Sequence, residues 1–225
     1  MVCGGIKQRR RMPNLRFDIE SVSSMVDSAT PVLVFRVRIS NLMAEERVHS
    51  ISLNSQLHIQ PARRRYAPNE QAALADLFGE PARWGTTLRP LFWTHISVTV
   101  PEFQDTYIAE LRVPCTFDFN VAATKYFHAV EEGEIPVILL FSGTVFYIVD
   151  ESVQVALIPW SQELACSVPA VVWKEMMTLH YADSAWLTLR QDAFNRLYRY
   201  KVRHGLPTWE QMVDHVLAAA GETER

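Results

Sequence analysis

The chain has only three cysteines among its 225 residues, Cys3, Cys115 and Cys166. Three is an odd number, and no spacing pairs these residues. The sequence therefore argues against a disulfide framework and against a cysteine-rich zinc site. This cysteine usage is typical of a reducing compartment, and we expect a cytoplasmic protein.

Long apolar runs and a strong net charge are also missing. No segment approaches the ~18 uncharged apolar residues that a membrane-spanning helix requires. The basic residues near the start are followed by Pro13 to Asp18, where a signal peptide has its apolar core. A net charge of −3 gives no general attraction for nucleic acids. We therefore expect no membrane insertion, and nucleic-acid binding is disfavoured.

Complete catalytic, phosphate-binding and metal-binding motifs are absent as well. His58, His95, Cys115 and His128 are potential ligands for a metal. No His-x-x-x-His or Cys-x-x-Cys spacing supports such a site. The sequence therefore predicts no catalytic residues, no metal and no cofactor, and it favours a protein that is not an enzyme.

Period-2 alternation of apolar and polar residues dominates the first two thirds of the chain. Phe35, Val37 and Ile39 alternate with polar residues, as expected of a strand with one buried face. The same pattern recurs in residues 51–59, 96–100 and 107–113. Residues 135–147 are apolar at both parities, which predicts a strand covered on both faces.

Helix signals lie between and after these strands. A helix is predicted near residues 68–79, where Pro68 suits the first turn and Gly79 the end. Another is predicted near 121–132. Residues 169–179, 193–204 and those from Thr208 onwards also have helical periodicity, and 185–189 has that of a short strand.

These patterns predict a mainly β (α+β) protein, an antiparallel β-sandwich that is immunoglobulin-like or similar. Short helices are inserted in it, and a helical element forms the C-terminal end. We expect a flexible N-terminal segment over residues 1–13 and a single domain over 14–221. Within this domain, residues 14–160 form the sandwich, and residues 161–221 form a mostly helical element packed on it.

The most distinctive segment interrupts the predicted sheet between residues 60 and 93. Its arginines and aromatic residues are the predicted site, either as structural anchors or as contacts for a protein partner: Arg63, Arg64, Arg65, Tyr66, Arg83, Trp84, Arg89 and Trp93. Nearby carboxylates such as Glu70, Asp76 and Glu80 favour anchors. Arginine, tyrosine and tryptophan are also enriched at binding hot spots, which favours contacts.

An alternative hypothesis is a small-molecule or anion-binding protein, or an enzyme, with a pocket between the sheet and the helices. Arg65 or Arg89 would hold an anion, and His95 or His128 would act as an acid or base. No motif in the sequence selects a substrate for such a pocket.

Several motifs resemble an uncharacterised bacterial family, a domain of unknown function. They are Asp76 to Trp84, Val113 to Phe119, Lys125 to His128, Leu140 to Tyr147, Ile158 to Trp160, and Tyr200-Lys201 with Gly205 to Trp209. This family is commonly encoded beside oxygen-tolerant nickel–iron hydrogenases that consume trace hydrogen. The resemblance implies an accessory role in assembling or stabilising the hydrogenase or its accessory proteins, through contacts between proteins.

Overall fold

The structure is a computed structural model that describes residues 13–43, 47–182, 187 and 189–222. The described residues form two compact units, one up to residue 182 and one from residue 187. Each unit is described by itself, and the single domain expected over 14–221 stays a prediction. The expected flexible segment lies outside the described residues, apart from Pro13.

Two antiparallel sheets form the first unit. A three-stranded sheet has the order β1-β2-β5 and consists of β1 (Leu15–Ser24), β2 (Val32–Asn41) and β5 (Thr106–Pro114). A five-stranded sheet contains β3 (Arg47–Ile59), β4 (Leu91–Val100), β6 (Glu134–Val149), β7 (Ser152–Leu157) and β8 (Glu163–Pro169). Every pairing is antiparallel, which confirms the mainly β fold class.

The apolar residues of the alternating strands make the core of this unit. Phe17 of β1 stacks on Phe141 of β6, with ring centroids 4.3 Å apart. Phe35 of β2 meets Trp93 of β4 edge to face at 5.9 Å. Each pair joins one sheet to the other, so the inward-facing residues of both sheets share one core.

Strand β6 is the centre of the larger sheet. One of its edges pairs with β3, and its other edge pairs first with β8 and then with β7. Gly143 lies where these two partners meet, with φ of 144°. A Cβ atom at this position would lie 2.0 Å from the carbonyl oxygen of Ser52 on β3. Only glycine fits here, in agreement with the bend that the sequence indicates at this residue.

The helices of the first unit lie in the connections between strands. They are α1 (Pro68–Phe78), the single turn α2 (Trp84–Thr87), α3 (Val121–Ala129) and α4 (Ala170–His180). Helix α3 ends three residues before the expected position, because Val130 is extended and fully buried. None of the helices in the described ranges has the length and apolar character needed to cross a membrane.

Strand β8 differs from the sequence-based expectation of a mostly helical region after residue 160. Leu164, Cys166 and Val168 alternate with more polar residues, and this short pattern pairs with the first half of β6. The expected strand at 185–189 lies outside the described residues, except for Leu187 and Leu189.

The second unit is a pair of helices, α5 (Gln191–Arg203) and α6 (Trp209–Ala220). Thr208 caps α6, because its hydroxyl accepts a hydrogen bond from the Gln211 N–H at 3.2 Å. The described part of this unit has one buried residue, Met212.

Candidate functional site

The segment between β3 and β4 is a chain of short helical pieces. A 3₁₀ turn (Pro61–Arg63) precedes α1, and a second 3₁₀ turn (Pro81–Arg83) precedes α2. Proline at the start of both 3₁₀ turns and of α1 fixes φ where the backbone N–H needs no helical partner. We call the residues from Pro61 to Pro90 the insert.

A buried ion pair holds the insert to the rest of the unit. The Arg64 guanidinium donates to both oxygens of the Glu70 carboxylate, at 2.9 and 3.2 Å, and both side chains are almost completely buried. Arg64 also donates to the carbonyl oxygens of Glu132 and Glu134, at 3.2 and 3.5 Å. It therefore joins the insert to the segment that enters β6.

The Glu70 carboxylate is also held by backbone groups. It accepts from the N–H of Ala67 at the start of α1 and from the N–H of Glu131 after α3, each at 2.9 Å. Burial by itself raises the pKa of Glu70, but these two N–H donors and the Arg64 charge outweigh it. The pKa of Glu70 is therefore lower than its usual value of 4.5.

An aromatic cluster lies beside this ion pair. The Tyr66 hydroxyl donates to the Pro61 carbonyl oxygen and accepts from the Tyr126 hydroxyl, both at 2.7 Å. The Trp84 ring meets the Tyr66 ring edge to face at 5.3 Å, and its indole N–H donates to the Gly79 carbonyl oxygen at 2.9 Å. Burial raises the pKa of both tyrosines. They stay neutral and act as hydrogen-bonding parts of the core.

Trp93 lies on β4, just after the end of the insert, and its side chain is in the core. Its ring is 4.8 Å from Phe127 of α3, and Phe127 stacks on Trp173 of α4 at 5.5 Å. Asn120 fixes this region, because its amide donates to the Trp93 carbonyl oxygen at 2.8 Å and its side-chain oxygen caps α3. Trp93 is therefore a packing residue.

The other four arginines of the predicted set, Arg63, Arg65, Arg83 and Arg89, are exposed. None of them forms an ion pair with a carboxylate in the part of the chain that the structure describes. Arg65 directly precedes Tyr66 in the sequence, and Arg83 directly precedes Trp84. The rings of Tyr66 and Trp84 are in contact.

Ile59, the last residue of β3, pairs with Leu91, the first residue of β4. Arg63 lies shortly after Ile59, and Arg89 lies shortly before Leu91. One end of this strand pair therefore carries four guanidinium groups that have no carboxylate partner among the described residues.

The predicted set thus separates into two groups of four. Arg64, Tyr66, Trp84 and Trp93 are buried or half-buried and anchor the insert, whereas the four exposed arginines face solvent. The sequence did not predict the hydrogen bonds of Asn120 to Trp93 and of Tyr126 to Tyr66, because these partners lie on distant segments. The acidic residue three positions after Ala67, Glu70, was a detectable signal of a helix start.

The pocket of the alternative hypothesis is very small. The space between the sheet and the helices, lined by Trp93, Phe127 and Trp173 among others, measures about 10 Å³. Arg65, Arg89, His95 and His128 do not line it, and all four are exposed. A larger groove of about 620 Å³ lies between β4 and β5, and none of these four residues lines it.

Groups suited to covalent or metal chemistry are not brought together. Burial raises the pKa of the Cys115 and Cys166 thiols to about 12, which disfavours the thiolate form that acts as a nucleophile. Across the described ranges, no three His, Cys, Asp or Glu side chains are placed to hold a metal ion.

Comparisons with known proteins give a family and two distant structures. A solution structure of a late embryogenesis abundant (LEA) protein is 12% identical, with a TM-score of 0.32, over 70% of this chain and 72% of that chain. A β-glucosidase 3B from Thermotoga neapolitana, in complex with α-D-glucose, is 11% identical, with a TM-score of 0.23, over 68% of this chain and 17% of that chain. Both TM-scores are too low to bear on fold or function.

No curated protein matches the chain. A family model described as a family of unknown function (DUF6084) matches residues 12–225.

Proposed function

This chain belongs to the DUF6084 family of unknown function, and we propose that it is a non-enzymatic accessory protein that binds a protein partner. The insert is the binding surface, with the exposed Arg63, Arg65, Arg83 and Arg89 as the contacting side chains. The proposed partner is a subunit of a nickel–iron hydrogenase or one of its accessory proteins, in the cytoplasm. Binding would assist assembly or stabilise the partner.

One observation carries this proposal: a firmly anchored insert presents guanidinium groups that have no carboxylate partner within the described residues. Arg64 is bound to Glu70 and to two backbone carbonyls, so the backbone on both sides of it is fixed. Arg63 and Arg65, its direct neighbours, are exposed. A backbone that is already fixed loses less conformational entropy when a partner binds.

The chemistry of these residues favours an acidic protein surface. Guanidinium groups bind carboxylates in a bidentate geometry, and arginine is enriched at interface hot spots. Glu80 in the insert is exposed, as are Glu132 and Glu134, whose carbonyls bind Arg64, so this region of the surface has mixed charge. Mixed charge favours a protein over the uniformly negative backbone of a nucleic acid.

The hydrogenase follows from the resemblance of Asp76 to Trp84 and the other motifs to a family encoded beside hydrogenase genes. The first of these motifs lies in the insert, from the end of α1 to the start of α2. The same segment therefore supplies both the family motif and Arg83.

The test is a double substitution, Arg65→Glu with Arg83→Glu, in the full chain expressed in its native cell. We expect the tagged variant to lose co-purification of hydrogenase components, and hydrogenase activity to fall. The control is Arg16→Glu on β1, a charge reversal of the same type at one position of the other sheet, where a pair with Asp18 is removed.

Thermal unfolding monitors whether both variants stay folded. A folded double variant that retains the same partners and the same hydrogenase activity would exclude the proposal. Loss of the same partners in the Arg16→Glu control would also count against the insert as the contact surface.

A further inference from the structure

The two sheets of the first unit have outer faces of very different charge. The outer face of the larger sheet consists of alternate residues from Ser50 to His58 on β3, from Ile138 to Ile148 on β6 and from Val153 to Leu157 on β7, with the β4 residues that pair with β3 there. No Asp, Glu, Lys or Arg is among these described positions. We call this surface the neutral face.

The outer face of the smaller sheet is typical of a sheet in contact with water. It carries the ion pairs Arg16–Asp18 and Arg38–Glu20. Charged side chains on the polar side of a strand favour solubility and disfavour association with other chains. The neutral face lacks such charges, so its composition is that of a surface which another molecule covers.

One end of the neutral face is strongly apolar. Val153, Val155 and Leu157 have 55%, 60% and 69% of their surfaces accessible, and their β6 neighbours Phe146 and Ile148 are only half-buried. The sequence of β6 is apolar at both parities, as expected of a strand covered on both faces. The described part of the first unit leaves this end of the second face open. A contiguous apolar patch of this kind marks an interaction site.

We propose that the neutral face binds the neutral face of a second copy of this chain, with the two larger sheets packed face to face about a two-fold axis. Side chains of the two faces would interdigitate between sheets about 10 Å apart. The faces of the sheets make this contact and their edges do not, so Val153, Val155 and Leu157 become buried. Two-fold dimers of this type are the commonest protein oligomers.

Charge favours a second copy over a charged partner. The core of a protein interface is depleted of charged residues and is surrounded by a polar rim. The neutral face has this anatomy, because the charged residues Arg47 and Glu163 border it, opposite Ile148 and Leu140 of β6. A partner with charges at its centre would bury them here without a counter-charge. A second neutral face buries none, and its Ser, Thr, Asn and Gln side chains can pair with their own kind as donors and acceptors.

The size of the neutral face also fits a dimer. At a strand spacing of about 4.8 Å and a rise of about 3.3 Å per residue, the strands in the order β4-β3-β6-β7, over the length from Ile138 to Ile148, cover about 700 Å². A standard interface covers about 800 Å² on each partner. A stable dimer therefore uses nearly the whole face, from β4 to β7. Two copies have the same twist, so they match in shape when their strands cross at about −30°.

The first test is the oligomeric state of the full chain, measured by sedimentation velocity over a range of concentrations. We expect a dimer whose dissociation constant increases by about tenfold or more in Val155→Glu, because the dimer would bury the new carboxylate in a neutral interface. The matched control is Val202→Glu on α5, where the valine is 61% exposed, as against 60% for Val155. A second control, Ile108→Glu on β5, places the same charge on the outer face of the smaller sheet. Both controls should leave the dimer unchanged.

A monomer at every concentration would overturn the proposal. A dimer that withstands Val155→Glu and dissociates in either control would overturn it as well, since the helix pair or the smaller sheet would then join the copies. Far-ultraviolet circular dichroism and thermal unfolding check that each variant is folded. If Val155→Glu does not fold, Ser97→Glu at an exposed position on β4 replaces it, with the same expected result.

The dependence of the dimer on salt is the second test. Because the neutral face has no ion pairs to screen, the dissociation constant should change by less than about threefold between about 0.05 and 0.5 M sodium chloride. A dimer that dissociates steeply with salt would be held by charged groups such as the arginines of the insert, and this result would contradict the proposal.

The third test measures directly which face is covered. Ser142→Cys introduces a thiol at an exposed position of the neutral face on β6, and Ser21→Cys introduces one at an exposed position of β1. Labelling of Ser142→Cys by a maleimide should slow as the protein concentration and the fraction of dimer increase, whereas labelling of Ser21→Cys should not. The wild type corrects for the native cysteines. Labelling of Ser142→Cys at one rate throughout the transition from monomer to dimer would show that the neutral face stays open, and the proposal would fail.

Discussion

The insert and the α5–α6 helix pair differ in which of their residues are buried. The insert consists of short pieces held by a buried ion pair, hydrogen-bonded tyrosines and an anchored tryptophan. The helix pair has long apolar stripes, yet Phe194, Tyr198, Val202 and Val213 remain exposed. A strong amphipathic pattern predicts that a helix forms, whereas buried polar partners determine how firmly a segment is attached.

The contacts between α5 and α6 are made by residues that are exposed or half-buried. The ring of Trp209 lies 5.4 Å from Phe194 and 6.5 Å from Tyr198. The Tyr200 hydroxyl and His215 Nδ1 are hydrogen-bonded at 2.9 Å in an exposed position. Exposed contacts of this kind contribute little to stability, so substitutions in the two regions should differ in their effects.

The largest effect is expected for Glu70→Gln in the insert. Removing one charge of a buried pair leaves the Arg64 guanidinium uncompensated, and we expect a loss of about 3 kcal/mol in the free energy of unfolding. Urea denaturation measures this loss. Glu80→Gln, an exposed residue of the insert with no ion pair in the described part of the chain, should change stability by less than about 0.5 kcal/mol.

The same variant tests the pH dependence of stability. Because the pKa of Glu70 is lowered in the folded state, its contribution is fully present above the unfolded value near 4.5 and is lost as pH falls below that value. The difference in stability between the wild type and Glu70→Gln should therefore decrease in acid. A difference that is constant from pH 7 to pH 3 would contradict the role given to the carboxylate.

An intermediate effect is expected for Tyr66→Phe. The change removes the hydroxyl that Tyr126 uses as acceptor, and Tyr126 is fully buried, so we expect a loss of about 2 kcal/mol. Tyr198→Phe on α5 is the matched change in the helix pair, and it should cost less than about 0.5 kcal/mol because Tyr198 is exposed. Equal losses in the two variants would remove the contrast between the regions.

A smaller, local effect is expected for Thr208→Ala. Loss of the cap should destabilise α6 by about 1 kcal/mol. Hydrogen exchange of the α6 amides should accelerate accordingly, while that of the β6 amides stays unchanged. Thr208→Ser keeps the hydroxyl and should preserve most of the protection. Unchanged exchange in Thr208→Ala would show that the capping hydrogen bond does not stabilise the helix.

The smallest effect is expected for Arg63→Ala and Arg65→Ala. Both side chains are exposed and without an ion pair within the described residues, so unfolding free energies should change by less than about 0.5 kcal/mol. Arg64→Ala, between them, should cost about 3 kcal/mol because it leaves the buried Glu70 charge unpaired. Similar losses at all three positions in urea denaturation would refute the assignment of a single anchoring arginine.

Local signals in the sequence predicted much of the fold. Alternation predicted β2, β3, β4 and β5, and a run that is apolar at both parities predicted β6. Pro68 and Gly79 marked the two ends of α1, and Thr208 marked the start of α6, close to where they lie. Short β8 was missed, because its alternation is brief and its partner, the first half of β6, is distant in sequence. Periodicity carries no information about such a partner.

The candidate site was predictable in composition but not in arrangement. Three consecutive arginines are equivalent in sequence, and only tertiary structure places the Glu70 carboxylate and the carbonyls of Glu132 and Glu134 around the middle one. The carboxylate was visible as a neighbour within a few residues. The two carbonyls and the Tyr126 hydroxyl come from segments far along the chain, which no local pattern connects to Arg64.

Gly143 has a consequence for how the molecule avoids misalignment. The Ser52 carbonyl approaches so closely that a side chain cannot replace this glycine, and a slip of β6 by two residues would bring Phe141 or Val145 to the same place. One residue without a side chain thus acts as an alignment mark for the longest strand. At one end of that strand the Glu134 carbonyl meets Arg64, and at the other end begins the turn to β7. A single correct alignment of β6 therefore positions both the carbonyl that binds Arg64 and the turn to β7. A misalignment of β6 at Gly143 would displace the two together.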